Sequence, residues 1–217
     1  MMISGTENNI QYSVLTDADF ENAADLLAGV FSRSEPLDVA TGITSGEVRQ
    51  VVELNGRNAM AGGLMVAARD TGTNRIAGAV LAHDLADPVP EGFEPIAHRF
   101  APILALLDDL GGPFLKSRTI LPGEVLHIFM LAVDPQFAGR GIGRNLLQYT
   151  VENAREKGFT TAIAEATGKT SQKIFREQGF TETNRVEYGS FLFRGTHPFE
   201  PIRDQGAVLF MEKRLAG

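Results

Sequence analysis

The chain has 217 residues, no cysteine and no tryptophan, and its formal net charge is −7. This length predicts one domain with a self-sufficient core, and the lack of cysteine excludes disulfides, thiolate metal sites and a cysteine nucleophile. The excess of acidic residues argues against nucleic acid as a partner. The sequence contains no run of about 18 apolar residues, so we expect no membrane-spanning helix. Because the first residues show neither a basic nor an apolar leader segment, we expect a cytoplasmic protein.

The first part of the chain alternates between strand and helix patterns. Residues 1–9 are polar, and we expect them to be flexible. Hydrophobic periodicity then predicts the order β-α-α-β-β, with the first helix ending before Pro36. The predicted elements cover residues 10–15, 17–35, 45–54, 64–69 and 75–83.

Residues 84–123 interrupt this alternation. A Pro-rich linker precedes helical periodicity over 96–110, and the Gly-Gly-Pro sequence at 111–113 is expected to break that helix. We interpret 84–123 as a helical insertion that packs over one edge of a sheet.

The second half predicts the order β-α-β-α-β-β. Its first elements cover residues 124–133, 142–157, 159–165 and 170–178, and two further strands follow. Together with the first half, this order predicts a single domain over 1–217 with a mixed α/β sheet and one βαβ crossover.

An apolar strand runs directly into a glycine-rich turn that opens a helix. Glycines in 139–143 allow a sharp turn and let main-chain amides approach a ligand. The first amides of a helix have no internal partner and lie at the positive end of its dipole. The turn therefore predicts an anion pocket suited to a diphosphate, and Arg140 and Arg144 add positive charge beside it.

Other interpretations of this turn fit less well or stay open. A Walker loop requires a Gly-Lys-Ser/Thr sequence that is absent here. A dinucleotide fingerprint would need glycine where Arg144 stands, and it normally lies near the start of a doubly wound domain. A strand–helix connection that binds nothing remains the third interpretation.

Two segments carry a family resemblance. The sequence VDPQFAGRGIGRNLL at 133–147 resembles the acyl-CoA loop of the GCN5-related N-acetyltransferase superfamily, and SQKIFREQGF at 171–180 resembles its next block. The similarity covers most of 10–215 and is weakest over 84–123. It implies a GCN5-type α/β fold, acetyl-CoA as co-substrate and no metal.

The resemblance also assigns residues to the cofactor. The strands at 126–133 and 159–165 would part where the cofactor enters, and the main chain of the first would pair with the pantetheine arm. Amides of the glycine-rich turn would hold the diphosphate. The residues implied are Leu131, Ala132, Val133, Ala138, Gly139, Arg140, Gly141, Ile142, Gly143 and Arg144.

Two positions depart from the superfamily pattern. Ala138 stands where the loop usually has Gln or Arg, which removes a side-chain contact but no amide. Phe175 stands at a cofactor-facing position where a Tyr often serves as general acid, and a phenyl ring has no proton to donate. A Tyr acid there is excluded, which leaves a non-catalytic acyl-CoA sensor as an open alternative.

A narrower resemblance concerns the acceptor side. The sequence VFSRSEPLDVATG at 30–42 resembles the arylalkylamine N-acetyltransferases of the insect dopamine type. In that family the Glu before Pro-Leu is the general base, which implies this role for Glu35. Two hydroxyl residues four apart match Thr167, which would contact the cofactor, and Ser171, which would assist the departing thiolate.

Catalysis by Glu35 is chemically sensible. A protonated amine must lose a proton before it attacks a thioester, and a carboxylate in an apolar cleft can accept that proton. A solvated loop carboxylate is the alternative for Glu35, and a helix cap is the alternative for Ser171. His127 is a second candidate base, with simple packing as its alternative.

The sequence thus favours acetyl transfer to a small primary amine within a ternary complex, because no cysteine can carry the acetyl group. A peptide amine is the alternative acceptor. The oligomeric state stays open, a homodimer included.

Overall fold

The computed structural model describes residues 4–215. Its strands form one eight-stranded mixed sheet in the order β1-β2-β3-β4-β5-β6-β8-β7. This architecture confirms the predicted α/β fold class. The strands are β1 (Ser4–Glu7), β2 (Ile10–Val14), β3 (Val66–Asp70), β4 (Ile76–Asp84), β5 (Val125–Val133), β6 (Thr161–Ala166), β7 (Thr181–Glu187) and β8 (Ala207–Arg214).

Helices connect the strands and cover both faces of the sheet. They are α1 (Phe20–Ser34), α2 (Pro36–Thr41), α3 (Ser45–Ala61), α4 (Glu94–Ala97), α5 (Ala101–Lys116), α6 (Ile142–Glu156) and α7 (Lys169–Glu177). One core lies under α1, α3 and α5 and includes Leu27 and Leu106, while α6 and α7 bury Leu146 and Phe175 on the other face. Between residues 4 and 215, none of the helices has the length and apolar character needed to cross a bilayer.

Strands β5 and β6 pair only at their beginnings. Their parallel register covers Val125 with Thr161 through His127 with Ile163, and it stops there. On its other side β5 stays paired with β4 as far as Val133. Beyond His127 the edge of β5 that faces β6 is therefore open, as the resemblance implied for these two strands.

The N-terminal segment corrects one expectation. Residues 4–7 form β1 instead of a flexible tail, and residues 1–3 lie outside the described part of the chain. Asn8 and Asn9 have φ of 50° and 65°, the combination required by a two-residue hairpin turn. Asn145 of α6 donates to Glu7 Oε2 at 2.8 Å, and this hydrogen bond connects the β1–β2 hairpin to helix α6.

The insertion differs from its predicted helix boundary. The Gly-Gly-Pro sequence does not break the helix, since α5 continues to Lys116. A Cβ on Gly111 would lie 3.4 Å from Phe210 of β8, an ordinary van der Waals distance, so the helix packs directly on the sheet at this residue. The rings of Phe114 and Phe210 then pack at 5.2 Å and hold the last turn in place. Asn184 of β7 donates to the Leu110 carbonyl at 2.7 Å, so α5 covers the β7–β8 edge.

Candidate active site

The glycine-rich turn lies between β5 and α6 and has the conformation that glycine favours. Gly139 and Gly141 have φ of 79° and 75°, in the left-handed region that side chains with a Cβ adopt at a cost. Gly141 is the residue that caps α6. Gly143 lies in the first turn, where a Cβ would be 3.3 Å from Ile174 Cδ1, so its small size lets α7 pack against α6.

The amides of this turn point to no acceptor in the protein. Within residues 4–215, no main-chain or side-chain group accepts a hydrogen bond from the N–H groups of 139–144. The first amide of α6 bonded inside the helix is that of Asn145, which donates to the Gly141 carbonyl at 3.1 Å. Ala138 differs from the expectation, because its amide donates to the Pro135 carbonyl at 3.2 Å. The run of free amides therefore starts at Gly139.

Positive charge surrounds these amides. The guanidinium of Arg140 lies 5.0 Å from the centre of the Phe137 ring and is exposed. Arg144 is also exposed and forms an ion pair with Glu177 at 2.6 Å. Free amides, a helix dipole and two arginines together give this turn the chemistry to hold an anion.

The open edge of β5 leads to this turn. On one side, the end of β5 pairs with β4. The register places Leu131, Ala132 and Val133 opposite Val80, Ala79 and Gly78. On the other side β6 has already diverged, so main-chain groups of 131–133 face the gap between the two strands. An extended ligand with amide groups can add to such an edge as a further strand.

Glu35 occupies the corner between α1 and α2. Helix α1 ends before Pro36 as expected, but Pro36 then begins the short helix α2, and Glu35 is its N-cap. Glu35 Oε2 accepts the amide proton of Asp38 at 2.6 Å. Its other oxygen, Oε1, is buried without a hydrogen-bond partner in the described residues.

Burial makes this carboxylate basic. Removal from water raises the pKa of the Glu35 carboxyl, while the amides of Asp38 and Leu37 and the nearby Thr167 hydroxyl oppose that rise. A carboxylate with one oxygen held and the other free can accept a proton in a fixed direction.

The structure brings Glu35 next to the turn that follows β6. Tyr188 donates its hydroxyl proton to the Thr167 carbonyl at 2.6 Å. Burial, and then the charge of Glu35, raise the pKa of the Tyr188 phenol, so that phenol stays neutral. Pro36 Cγ lies 3.7 Å from the place that a Cβ on Gly168 would occupy. The α1–α2 corner and the β6–α7 turn therefore form one wall.

Ser171 acts as a helix cap. Its hydroxyl donates to the Gly168 carbonyl at 2.8 Å, and its oxygen accepts from the Gly168 amide at 3.3 Å. Ser171 is in the first turn of α7 and bonds back toward the start of that helix. In this arrangement its proton is committed to the main chain.

Phe175 is a core residue. It is 4% exposed, and its ring packs edge-on against Phe180 at 4.9 Å. Phe175 therefore lies in the core under α7, and the cofactor contact that the resemblance implies for it stays a prediction.

A chain of three polar side chains crosses the sheet where β5 and β6 part. His83 Nε2 lies 3.0 Å from His127 Nδ1, and His127 Nε2 lies 2.6 Å from Glu165 Oε2. Burial, and then the charge of His127, lower the pKa of His83 to about 3. Burial alone would raise the pKa of Glu165, but the charge and hydrogen bond of His127 outweigh it and lower that pKa.

Sequence reasoning considered His127 alone, because the partners His83 and Glu165 lie on other strands.

Asp38 was also missed, although it stands three residues after Glu35 on the same short helix. Asp38 is 6% exposed, and burial followed by the charge of Glu35 raises its pKa to about 8. Across residues 4–215, no three His, Asp or Glu side chains are arranged to hold a metal ion.

The sequence profile of the acetyltransferase (GNAT) family matches residues 44–180. The chain therefore belongs to this family, and it is a GNAT-type N-acetyltransferase.

Solved structures share the fold over nearly the whole chain. An arylalkylamine N-acetyltransferase from Aedes aegypti is 20% identical, with a TM-score of 0.79 over 96% of this chain and 100% of that one. A Drosophila melanogaster polyamine N-acetyltransferase, which catalyses formation of N-acetylagmatine, is 21% identical, with a TM-score of 0.75 over 94% and 99%. The C-terminal condensation domain of Ebony, bound to β-alanyl-dopamine, is 16% identical, with a TM-score of 0.82 over 94% and 98%.

A more distant structure was solved with its cofactor acetyl-CoA. This protein from Salmonella typhimurium is 15% identical, with a TM-score of 0.57 over 96% of this chain and 95% of that one.

Proposed function

We propose that this chain is an acetyl-CoA-dependent N-acetyltransferase that acetylates a small primary amine by direct attack in a ternary complex. The observation that carries the proposal is the run of free amides at 139–144 beside the open edge of β5. A diphosphate needs several converging donors, and the start of a 15-residue helix supplies them. The structure solved with acetyl-CoA supports the choice of cofactor.

The residues fit acetyl-CoA in two places. Amides from Gly139 to Arg144 would hold the diphosphate, and the main chain of 131–133 would pair with the amide groups of the pantetheine arm. Thr167 would contact the cofactor from the turn after β6. Phe175 would support that turn from the core, since it is buried under α7.

Glu35 is the proposed general base. Acetyl-CoA supplies the acetyl group as a thioester, and the incoming amine must be neutral to attack it. Glu35 Oε1 has no partner in the described residues, so it is free to accept the ammonium proton directly or through one water. The raised pKa of the carboxyl makes it a stronger base than an exposed glutamate.

Ser171 is the proposed partner of the departing thiolate. Its hydroxyl would turn from the Gly168 carbonyl toward the sulfur, while the oxygen keeps its bond from the Gly168 amide. A hydroxyl is a weak acid, so this contact stabilises the thiolate through a hydrogen bond more than through full proton transfer.

The acceptor is proposed to be a small amine in a cytoplasmic setting. Relatives that act on arylalkylamines and on polyamines share the fold over 94% or more of this chain, which supports that class. The lack of cysteine is consistent with a reducing compartment.

The test follows thiol release from acetyl-CoA in the presence of arylalkylamines, polyamines and a peptide with a free N-terminus. We expect thiol release that requires a small amine. Tight CoA binding without amine-dependent release would favour a sensor, and acetylation of the peptide alone would overturn the small-amine proposal.

A further inference from the structure

A side-chain hydrogen bond crosses from β5 to β6 just beyond the last residues that these strands pair. Their main chains pair as far as His127 opposite Ile163, and Glu165 lies two residues further along β6. His127 Nε2 lies 2.6 Å from Glu165 Oε2. A side-chain contact therefore takes over where the main-chain ladder ends, at the place where the gap between the two strands begins.

Strand β5 bends away from β6 at this same place. The register between β4 and β5 shifts by one residue after Leu81, which leaves Phe129 as an extra residue in β5. An extra residue of this kind kinks its strand and increases the local twist. Strand β6 stays paired with β8 through Ala166 and does not follow the bend. The bulge therefore separates β5 from β6, and the hydrogen bond to Glu165 opposes that separation.

The neighbours of His127 fix the orientation of its ring. Burial raises the pKa of the Glu165 carboxyl, but the charge and hydrogen bond of His127 outweigh burial and lower that pKa, so Glu165 is ionised at neutral pH. Because a carboxylate only accepts, His127 Nε2 donates. On the other side, His127 Nδ1 lies 3.0 Å from His83 Nε2, and the Phe129 ring packs at 5.7 Å on His127 and at 5.9 Å on His83. The contact is therefore a spacer of fixed length between the two strands.

The gap needs a particular width to take a ligand as an added strand. Neighbouring strands lie about 4.7–4.9 Å apart, so a ligand that pairs with β5 needs β6 at about twice that spacing, roughly 9–10 Å. The main-chain groups of Leu131 to Val133, which would pair with such a ligand, lie four to six residues beyond His127. Because the strands diverge from their last contact, a change in the length of that contact changes the width of the gap at these residues.

We propose that His127 and Glu165 are positioning residues that set the width of the gap between β5 and β6, and so the affinity for the pantetheine arm of acyl-CoA. This inference rests on the proposed function, because it takes acyl-CoA as the ligand of the gap. The diphosphate would be held by the amides from Gly139 to Arg144, beyond the end of β5. The nucleotide and diphosphate should therefore bind independently of this pair, whereas the pantetheine arm should not.

The test titrates CoA and 3′-phosphoadenosine 5′-diphosphate into the wild type and two Glu165 variants by calorimetry. The second ligand keeps the nucleotide and diphosphate of CoA and lacks the pantetheine arm. Glu165→Asp keeps the charge but shortens the side chain by one methylene, so the contact with His127 must stretch or draw the strands together. We expect its Kd for CoA to rise about tenfold, the effect of losing one charge-assisted hydrogen bond, while its Kd for the ligand without the arm changes less than about twofold.

A second variant separates the length of the side chain from its charge. Glu165→Gln keeps the length, and its amide oxygen can still accept from His127 Nε2. We expect this variant to bind both ligands within about threefold of wild type. Glu182→Asp is the matched control, because it shortens another glutamate of the same sheet, on β7, which accepts from Arg176 at 3.0 Å. This control should bind both ligands like wild type.

CoA affinity equal to wild type in Glu165→Asp would overturn the inference, and so would an equal loss for both ligands, which would give the pair a general structural role. Weaker CoA binding by Glu165→Gln than by Glu165→Asp would also overturn it, because charge and not length would then matter. These titrations need no acetyl transfer, so a protein that binds CoA but acetylates no amine fails the proposed function and still decides the inference. If the wild type binds neither ligand, both fail.

Discussion

The Asp38 amide holds one oxygen of the Glu35 carboxylate at 2.6 Å, while the other oxygen is buried without a partner in the described residues. The hydrogen bond exists because Pro36 starts a new helix and makes Glu35 its N-cap. A capping interaction that stabilises α2 therefore also orients a base. The same burial that raises the pKa of Glu35 keeps its free oxygen away from bulk water.

The first prediction concerns the pH dependence of catalysis. A raised pKa means that Glu35 is ionised, and able to accept a proton, only above that pKa, so kcat/KM of the wild type should rise with pH through it. Glu35→Gln should lower kcat by a factor of about 100 to 10,000 and flatten this profile. Steady-state rates across a pH series measure both effects.

The Gln side chain can still accept the Asp38 amide, so CoA affinity and thermal stability should remain near wild type in this variant. Glu91→Gln, at an exposed position, serves as the control. A profile unchanged in shape would remove Glu35 from proton transfer.

The second prediction concerns Phe175. Restoring the family's tyrosine by Phe175→Tyr should not raise kcat, because the ring is 4% exposed and packs on Phe180. The added hydroxyl would be buried, and we expect a loss of about 1–3 kcal/mol in the free energy of unfolding. Denaturant unfolding and acetylation rates check the two parts. A faster enzyme of wild-type stability would show that this position faces the thioester.

The third prediction concerns His83 and acid stability. Burial lowers the pKa of His83 to about 3, so on acidification the unfolded chain takes up a proton near pH 6.5 that the folded protein does not. Stability should therefore fall as pH drops below about 6.5, by up to about 1.4 kcal/mol per pH unit. His83→Gln should be less stable at neutral pH but should lose this slope.

Urea unfolding at several pH values measures the slope for both proteins. Glu165 has a lowered pKa, so its own stabilisation is present above its unfolded pKa and disappears only at more acidic pH. An identical slope below pH 6.5 in His83→Gln would contradict the assignment.

The sequence was sufficient for the parts of the site that depend on local pattern. The glycine-rich turn and the α1 boundary before Pro36 follow from glycine, proline and hydrophobic periodicity. The parting of the strands at 126–133 and 159–165 was implied by the family resemblance instead. Strand β1 was missed, because the polar composition of residues 1–9 predicted a flexible segment, whereas Asn8 and Asn9 form a hairpin turn.

Other features depend on tertiary contacts that no local pattern reveals. The chain of His83, His127 and Glu165 needs the register of three strands that are far apart in sequence. The helix through Pro113 survives because Phe114 packs on Phe210, a contact that overrides local propensity. The burial of Phe175 similarly depends on how α7 lies against its own sheet.

The central claim is that the amides of Gly139 to Arg144 bind the diphosphate of acetyl-CoA, and calorimetric titration with CoA tests it most directly. Gly141→Ala should weaken binding about tenfold, because a Cβ at φ of 75° distorts the cap of α6. Gly195→Ala has the same backbone problem at φ of 80° in a loop outside the site and should bind CoA like wild type. The predicted result is saturable CoA binding by the wild type and by Gly195→Ala, and weaker CoA binding by Gly141→Ala. No binding by the wild-type protein, or equal affinity in all three proteins, would contradict the account.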